Sequence, residues 1–504
     1  MAVASGLLLA LAFPPINLAP LAWVALVPPG LWLAAREHGN GRTVREAWGF
    51  GYAFGLVFFA IALQWIAYLS KVAVTVSWIM YPAWLAAASY CALYPAIAAA
   101  LAAFARRRAG VPIALGWPLF WLATEWFRAQ GELGFPWLHL GYSQWNVLPV
   151  LQLATLSGES GVSLFVAALN GLVLAALAAR APRTRLAFAA AAVALCALPF
   201  ALLGPRIPPP RTEGPAIGLI QGNVPGSVKW SGKHEDEVLA KFMVLSRQAI
   251  ADGARFVLWP ETSTGSYLRQ NLDQRMRLQE FVDSTEVAIL TGYPDYRFTG
   301  PKSVLSWNAA GVFWPHTGLG PQYAKMHLVP FGERMPFQWL VPGLGKLDLG
   351  QAEWTPGDDP SPLPTPLGPA GVLVCFESIF TDPARAEVLR GATWLVVVTN
   401  DEWFGKSGAL AQHAAMSVFR AVEHRVPLAR CANTGLTFLV DPWGRISTAP
   451  AIFTDAVVVL PLAAPARERT PFTRFGDVAG PLVAGLAALT FALALWRRRA
   501  LAGA

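Results

Sequence analysis

Three short stretches of the chain place reactive side chains at the ends of, or among, apolar runs that could hold them still. In Gly371-Val-Leu-Val-Cys375-Phe-Glu377-Ser, an apolar run ends in a thiol, and a carboxylate follows two residues later. In Leu258-Trp-Pro-Glu261-Thr, another apolar run ends in a carboxylate. In Tyr323-Ala-Lys325-Met-His-Leu-Val-Pro-Phe-Gly-Glu333, an ammonium sits among apolar neighbours with a carboxylate eight residues on. A thiol suits acyl transfer because its thiolate attacks carbonyls and its thioester stays reactive towards the next acceptor. A carboxylate can take the thiol proton and return it later. An ammonium can favour the thiolate and stabilise the oxyanion of a tetrahedral intermediate. Taken singly, each stretch also reads as structure. Free cysteine is among the most buried residue types, and a lone Glu261 reads as a helix cap or a surface carboxylate. Their joint presence is what points to thiol acyl chemistry.

Strands must present these groups, and the sequence supplies them. After a Pro-rich linker at 205–214, short apolar runs alternate with helical patterns. Strands are expected at 216–221, 255–259, 287–291, 304–314, 371–375, 394–399, 428–432 and 437–440. Helices are expected at 235–251, 272–284, 384–390 and 410–425. That alternation argues a layered α/β sandwich. Residues 334–356 mix apolar side chains with Gly and Pro breakers and read as a packed loop or as a mobile lid that dips Phe337, Trp339 and Leu340 into lipid.

The rest of the chain is apolar. Over the whole chain, hydrophobic residues make up 55% and charged residues only 14%, against about 25% charged in a soluble domain. This composition describes a membrane protein carrying a soluble domain. Apolar spans are expected at about 1–13, 17–35, 47–69, 74–104, 112–129, 157–179, 186–204 and 478–496, since crossing a bilayer takes roughly 20 apolar residues. The first resembles a signal peptide but lacks a basic start and a clean cleavage site, and reads as a retained span. The domains are then 1–204 with transmembrane helices one to seven, 205–477 as the soluble catalytic domain, and 478–504 with helix eight and a basic tail.

Arginine clusters orient these spans. Arg36, Arg42 and Arg45, then Arg106 to Arg108, then Arg180, Arg183 and Arg185, then Arg497 to Arg499 all fall on one side if eight spans alternate. The positive-inside rule makes that side the cytoplasm. Both termini are then cytoplasmic and the 205–477 domain lies in the periplasm. The net charge of +8 is thereby explained by topology and gives no call for a nucleic-acid partner. Glu125 and Arg128, three apart near the outer end of span five, are expected to pair. The aromatic loop Gly134 to Trp145 follows them on the same outer side. Cys91 and Cys196 lie in spans and Cys431 in an apolar run, so no disulfide framework is read. No Cys-x-x-Cys or Cys/His cluster argues for a metal.

The order Glu261, Lys325, Cys375 resembles the Glu-Lys-Cys triad of the nitrilase (carbon–nitrogen hydrolase) superfamily. Tyr323 to Glu333, Asn400-Asp-Glu-Trp-Phe-Gly405 and Phe135-Pro-Trp-Leu-His-Leu-Gly-Tyr-Ser-Gln144 resemble, more narrowly, the apolipoprotein N-acyltransferase family. The resemblance implies an αββα sandwich beside the eight-helix membrane domain. It implies Glu261 as general base, Lys325 as stabiliser of oxyanion and thiolate, and Cys375 as nucleophile. It implies that Glu333 and Glu377 support the site, that Trp230 lines it and that Trp403 lies near the acyl pocket. Phe376 stands where the family often has Tyr, which removes a hydroxyl beside the nucleophile but keeps the backbone N–H. The implied reaction moves an acyl chain from a membrane phospholipid, through a cysteine thioester, to the amine of a diacylglyceryl-cysteine lipoprotein, in a monomer of the bacterial inner membrane. No metal or organic cofactor is implied. A membrane-anchored amidase would use the same triad with water as acceptor, but would need at most one span. A scaffold or transporter would place more charges at mid-membrane depth.

Overall fold

The computed structural model describes residues 1–35, 42–69, 77–210, 213–301, 303–341, 343 and 353–502. The chain forms two units: Met1–Tyr68, Trp78–Pro208 and Arg474–Ala504 in one, Leu69–Ser77 and Pro209–Thr473 in the other. Residue 342 and residues 344–352 of the expected lid lie outside the described residues.

The first unit is helical. Among the described residues, five helices are long and apolar enough to cross a membrane: Val44–Ala62, Met80–Ala109, Ala154–Ala178, Pro182–Arg206 and Ala479–Arg497. The other three expected spans fall on the shorter helical stretches Ala2–Leu11, Ala19–Ala34 and Ile113–Arg128. Prolines explain the first two, since Pro14, Pro15 and Pro20 supply no N–H to continue a helix. Helix Val44–Ala62 starts at a capping box, Thr43 Oγ1 accepting the Glu46 N–H and Glu46 Oε2 accepting the Thr43 N–H. It packs closely on Met80–Ala109: a Cβ at Gly51 would lie 2.6 Å from the Pro95 carbonyl oxygen. Such backbone approach is how helices associate without a hydrophobic driving force.

Glu125 and Arg128 do not pair with each other among the described residues. Arg128 Nη1 donates to the Phe135 and Trp137 carbonyls, each at 2.7 Å. Glu125 accepts from Leu140 N–H at 2.7 Å and from Ser163 Oγ at 3.3 Å. The physical reason is the 134–145 segment: the Phe135 and Trp137 carbonyls lie outside any helix or strand, and Leu140 opens the 3-10 helix Leu140–Gln144, where the first N–H has no partner within the helix. The two charged side chains hold that loop instead of each other.

The second unit stacks two sheets. The six-stranded sheet has the order β10-β1-β2-β3-β4-β5: β1 Ala216–Gln221, β2 Phe256–Leu258, β3 Ile289–Gly300, β4 Ser303–Trp314, β5 Gly318–Ala324 and β10 Ala456–Pro461. The four-stranded sheet has the order β6-β7-β8-β9: β6 Ala370–Val374, β7 Trp394–Thr399, β8 Leu428–Ala432 and β9 Phe438–Val440. Strands β1, β2 and β3 run parallel, as do β6, β7 and β8. Parallel strands must be covered on both faces, and β6, β7 and β8 are buried at every residue. One apolar core, including Leu219, Leu258, Val312, Val374 and Val398, lies between the sheets. A second, including Ile220, Phe242, Val257 and Phe281, lies under helices Glu235–Ala251 and Leu272–Thr285. Helices Asp382–Leu389 and Ala409–His424 pack on the other sheet. The order of layers is αββα, as expected.

Two strands were absent from the expected set. β5 carries two glycines and a proline and lies at a sheet edge, where proline is tolerated. β10 pairs antiparallel with β1 at the other edge. β3 extends well past Thr291 because β4 pairs with it down to Gly300.

Candidate active site

Each group of the expected triad follows the end of a strand. Glu261 comes three residues after β2, Lys325 one after β5 and Cys375 one after β6. All three are buried, Lys325 to 1% exposure. Lys325 Nζ lies 2.8 Å from Glu333 Oε1 and 3.8 Å from Glu261 Oε1. Asn308 Nδ2, from β4, donates to Glu261 Oε1 at 2.7 Å and to Glu333 Oε1 at 3.4 Å. The other oxygen of Glu261 accepts the Asn400 N–H at 2.9 Å. That amide follows β7, so the carboxylate is held from both sheets.

Burial works against the Lys325 charge, but Glu333, Glu261 and the Cys375 thiol outweigh it and hold the ammonium pKa above its ordinary value. Lys325 is therefore a fixed cation. Burial pushes the Cys375 thiol pKa up and Glu261 adds to this, while Lys325 opposes both. The resting group is therefore a thiol.

Cys375 has a left-handed backbone, φ +53°, a conformation that costs a non-glycine residue energy and needs support. Glu377 supplies part of it. One oxygen accepts Val374 N–H at 2.7 Å. The other accepts Tyr323 Oη–H at 2.9 Å, Met326 N–H at 2.7 Å and His327 N–H at 3.1 Å. The carboxylate thus ties the end of β6 to the segment after β5, which carries Lys325. Burial raises its pKa against those N–H bonds.

The profile of the apolipoprotein N-acyltransferase N-terminal domain matches residues 5–172, and that of the carbon-nitrogen hydrolase domain matches residues 217–470. A protein of Geobacter metallireducens named apolipoprotein N-acyltransferase is 36% identical over 99% of this chain and 95% of its own. One of Azotobacter vinelandii with the same name is 32% identical over 99% and 95%. One of Methylococcus capsulatus, also so named, is 32% identical over 98% and 95%. The chain belongs to the apolipoprotein N-acyltransferase family.

Other expected residues of this apolipoprotein N-acyltransferase family member are placed differently. Trp230 and Trp403 are 46% and 40% exposed. Their segments are joined where Glu402 accepts the Gly226 N–H at 2.8 Å. The Phe376 ring meets Phe380 edge-on at 5.2 Å.

Several groups in the site were given no role from sequence, although Asn400 and Asp401 lie in the Asn400–Gly405 motif quoted above: Asn308, Asn400, Lys229, Asp401, His413 and Arg430. A signal existed for some. Asn400 and Asp401 follow the apolar β7 run as Glu261 follows β2, and Arg430 interrupts an apolar strand. Lys229 is 1% exposed, with Nζ 3.3 Å from Asn400 Oδ1. Burial lowers its pKa to about 8, with Glu261 and Glu402 pulling it back up. Below pH 8 the fold must hold a buried ammonium. Between about 8 and the ordinary value near 10.5, the unfolded chain binds a proton that the folded one has released, so stability gains as pH rises. Lys229→Met should be more stable relative to wild type at pH 7 than at pH 10. Thermal unfolding in detergent at the two pH values measures this, and a gap independent of pH would contradict it.

Proposed function

We infer that the chain transfers an acyl chain from a membrane phospholipid, through a thioester on Cys375, to the N-terminal amine of a diacylglyceryl-cysteine apolipoprotein. One observation supports this reading above others: buried Glu261, Lys325 and Cys375 converge at strand ends in a chain whose family match spans both units. Cys375 Sγ attacks the donor ester carbonyl and its proton passes to Glu261. The oxyanion faces Lys325 and the Phe376 N–H. Collapse breaks the ester bond, and the leaving lysophospholipid alkoxide takes the proton from Glu261. The acceptor amine then attacks the thioester and gives its proton to Glu261. The departing thiolate of Cys375 recovers that proton, and the enzyme returns to its starting state. Glu333 holds Lys325, Glu377 holds the Cys375 backbone, and Trp230 and Trp403 offer apolar surface to the chains. The test is to incubate the full chain in mixed micelles with labelled phospholipid and a diacylglyceryl lipopeptide. N-acylated peptide is expected. Free fatty acid without it would mean that water is the acceptor.

The chain is read as an inner-membrane protein with eight spans, cytoplasmic termini and a periplasmic 205–477 domain. The four arginine clusters support that orientation. A reporter fused after Arg108 should be cytoplasmic and one after Arg211 periplasmic. Finding both on one side would overturn the eight-span count.

A further inference from the structure

Beside Cys375 lies a group of buried polar and charged side chains that the reaction above leaves unused. Thr399, Asp401, His413 and Arg430 are all at 0% exposure. Asp401 Oδ1 lies 2.8 Å from Thr399 Oγ1 and 3.0 Å from His413 Nδ1. Asp401 Oδ2 accepts from Arg430 Nη2 at 2.7 Å, and that nitrogen is also 3.1 Å from His413 Nδ1. On its far side the imidazole reaches the nucleophile: His413 Nε2 is 3.0 Å from the Cys375 carbonyl oxygen and 3.1 Å from Ser378 Oγ. A buried charge cluster is a poor way to gain stability, because desolvation consumes much of the attraction. What it can supply is orientation.

The hydrogen positions follow from the partners. The Cys375 carbonyl only accepts, and Ser378 Oγ donates to it at 2.8 Å. With its hydrogen on Nε2, the ring donates to that oxygen as well. An imidazolium also donates from Nδ1 to Asp401. A neutral ring keeps the Nε2 hydrogen and accepts from Arg430 through Nδ1. In either state the bond to Cys375 stands.

That bond fixes more than a carbonyl. The Cys375 oxygen and the Phe376 N–H belong to one planar trans peptide and point in opposite directions. Pinning the oxygen towards helix Ala409–His424 turns the N–H away from it. Phe376 is the second residue of the 3-10 turn Cys375–Ile379, and first-turn N–H groups have no acceptor within their own turn. It is thus free to meet an external oxyanion, which neutral backbone donors do well when held in advance.

We propose that His413, oriented by Asp401 and Arg430, is a positioning residue that holds the Cys375–Phe376 peptide so that its N–H meets the oxyanion. The inference rests on the reading of Cys375 as nucleophile. One strand end then serves both reacting groups. Asn400 N–H holds Glu261, and Asp401, the next residue, holds the histidine that holds the Cys375–Phe376 peptide.

The experiment compares two reactions of Cys375 in the full-length protein in micelles. Acylation by a labelled phospholipid passes through an oxyanion. Alkylation by iodoacetamide, read at Cys375 by peptide mass spectrometry, displaces iodide and forms none. His413→Leu should slow acylation on the order of 10²-fold and leave alkylation within about threefold. His413→Gln, whose amide can donate to the same carbonyl, should recover at least about tenfold of that loss. Should the Leu variant not fold, His413→Asn, whose shorter amide falls short of the carbonyl, carries the same comparison. Equal loss in both reactions, or acylation at the wild-type rate, overturns the inference. A wild type that forms product without ever acylating Cys375 overturns the nucleophile reading instead, and this inference falls with it.

Discussion

Wild-type protein given labelled phospholipid and no acceptor should accumulate label that neutral hydroxylamine releases, and Cys375→Ala should accumulate none. The proposed donor and acceptor are both bulky lipids, and splitting the transfer lets the first product leave before the second substrate enters. The alanine variant should keep its fold, because the lost sulfur is a small part of a core built from two sheets. Its rate should fall on the order of 10⁴-fold or more, since without the nucleophile the remaining groups have nothing to act through. Cys375→Ser should acylate slowly, because a hydroxyl is harder to deprotonate than a thiol. Its oxygen ester should then resist the amine. Kinetics of the complete reaction should be ping-pong. If no label appears on wild type while the full mixture still forms N-acylated product, transfer is direct and Cys375 is not the nucleophile.

The αββα layering was legible because apolar runs of strand length alternate with amphipathic runs of helix length, and that pattern is local. Helix Glu235–Ala251 and strands β1, β7 and β8 fall at the expected residues. The edge strands were harder. β5, with its glycines and proline, becomes a strand only because β4 pairs with it. β10 has a plain apolar run, Ala456 to Leu460, yet only pairing with β1 gives it a place in the sheet. Of the site, Glu261, Lys325 and Cys375 were visible as charged or nucleophilic breaks after apolar runs. The groups that hold them were not. Asn308 and His413 look like ordinary polar residues within a strand and a helix, and their roles come from contacts far along the chain. Glu125 and Arg128 show the opposite failure. Helical spacing suggested a pair, but the unsatisfied loop beside them made the stronger demand.

Lys325→Met should cost both rate and stability, and a second substitution should separate the two. The ammonium is 2.8 Å from Glu333 and 3.8 Å from Glu261, and 1% exposed. Removing a cation that faces a developing oxyanion costs on the order of 10²–10³ in rate. Removing it from a buried pair also leaves Glu333 uncompensated, which costs about 3–5 kcal/mol. Asn308, whose one amide nitrogen already serves both carboxylates, and the Val329 N–H, which Glu333 Oε2 accepts at 2.8 Å, are neutral donors and do not replace the cation. Methionine keeps the apolar stem, so the loss reports the charge rather than a cavity. Lys325→Met with Glu333→Gln removes the uncompensated carboxylate, and the midpoint of thermal unfolding should return most of the way to wild type. Acylation should stay as slow as in the single variant, because the oxyanion still lacks its cation. Unfolding in detergent and acylation by labelled phospholipid, measured on the same three proteins, decide the matter. If the double variant regains acylation along with stability, the charge of Lys325 serves only to hold Glu333, and the oxyanion is stabilised by other groups.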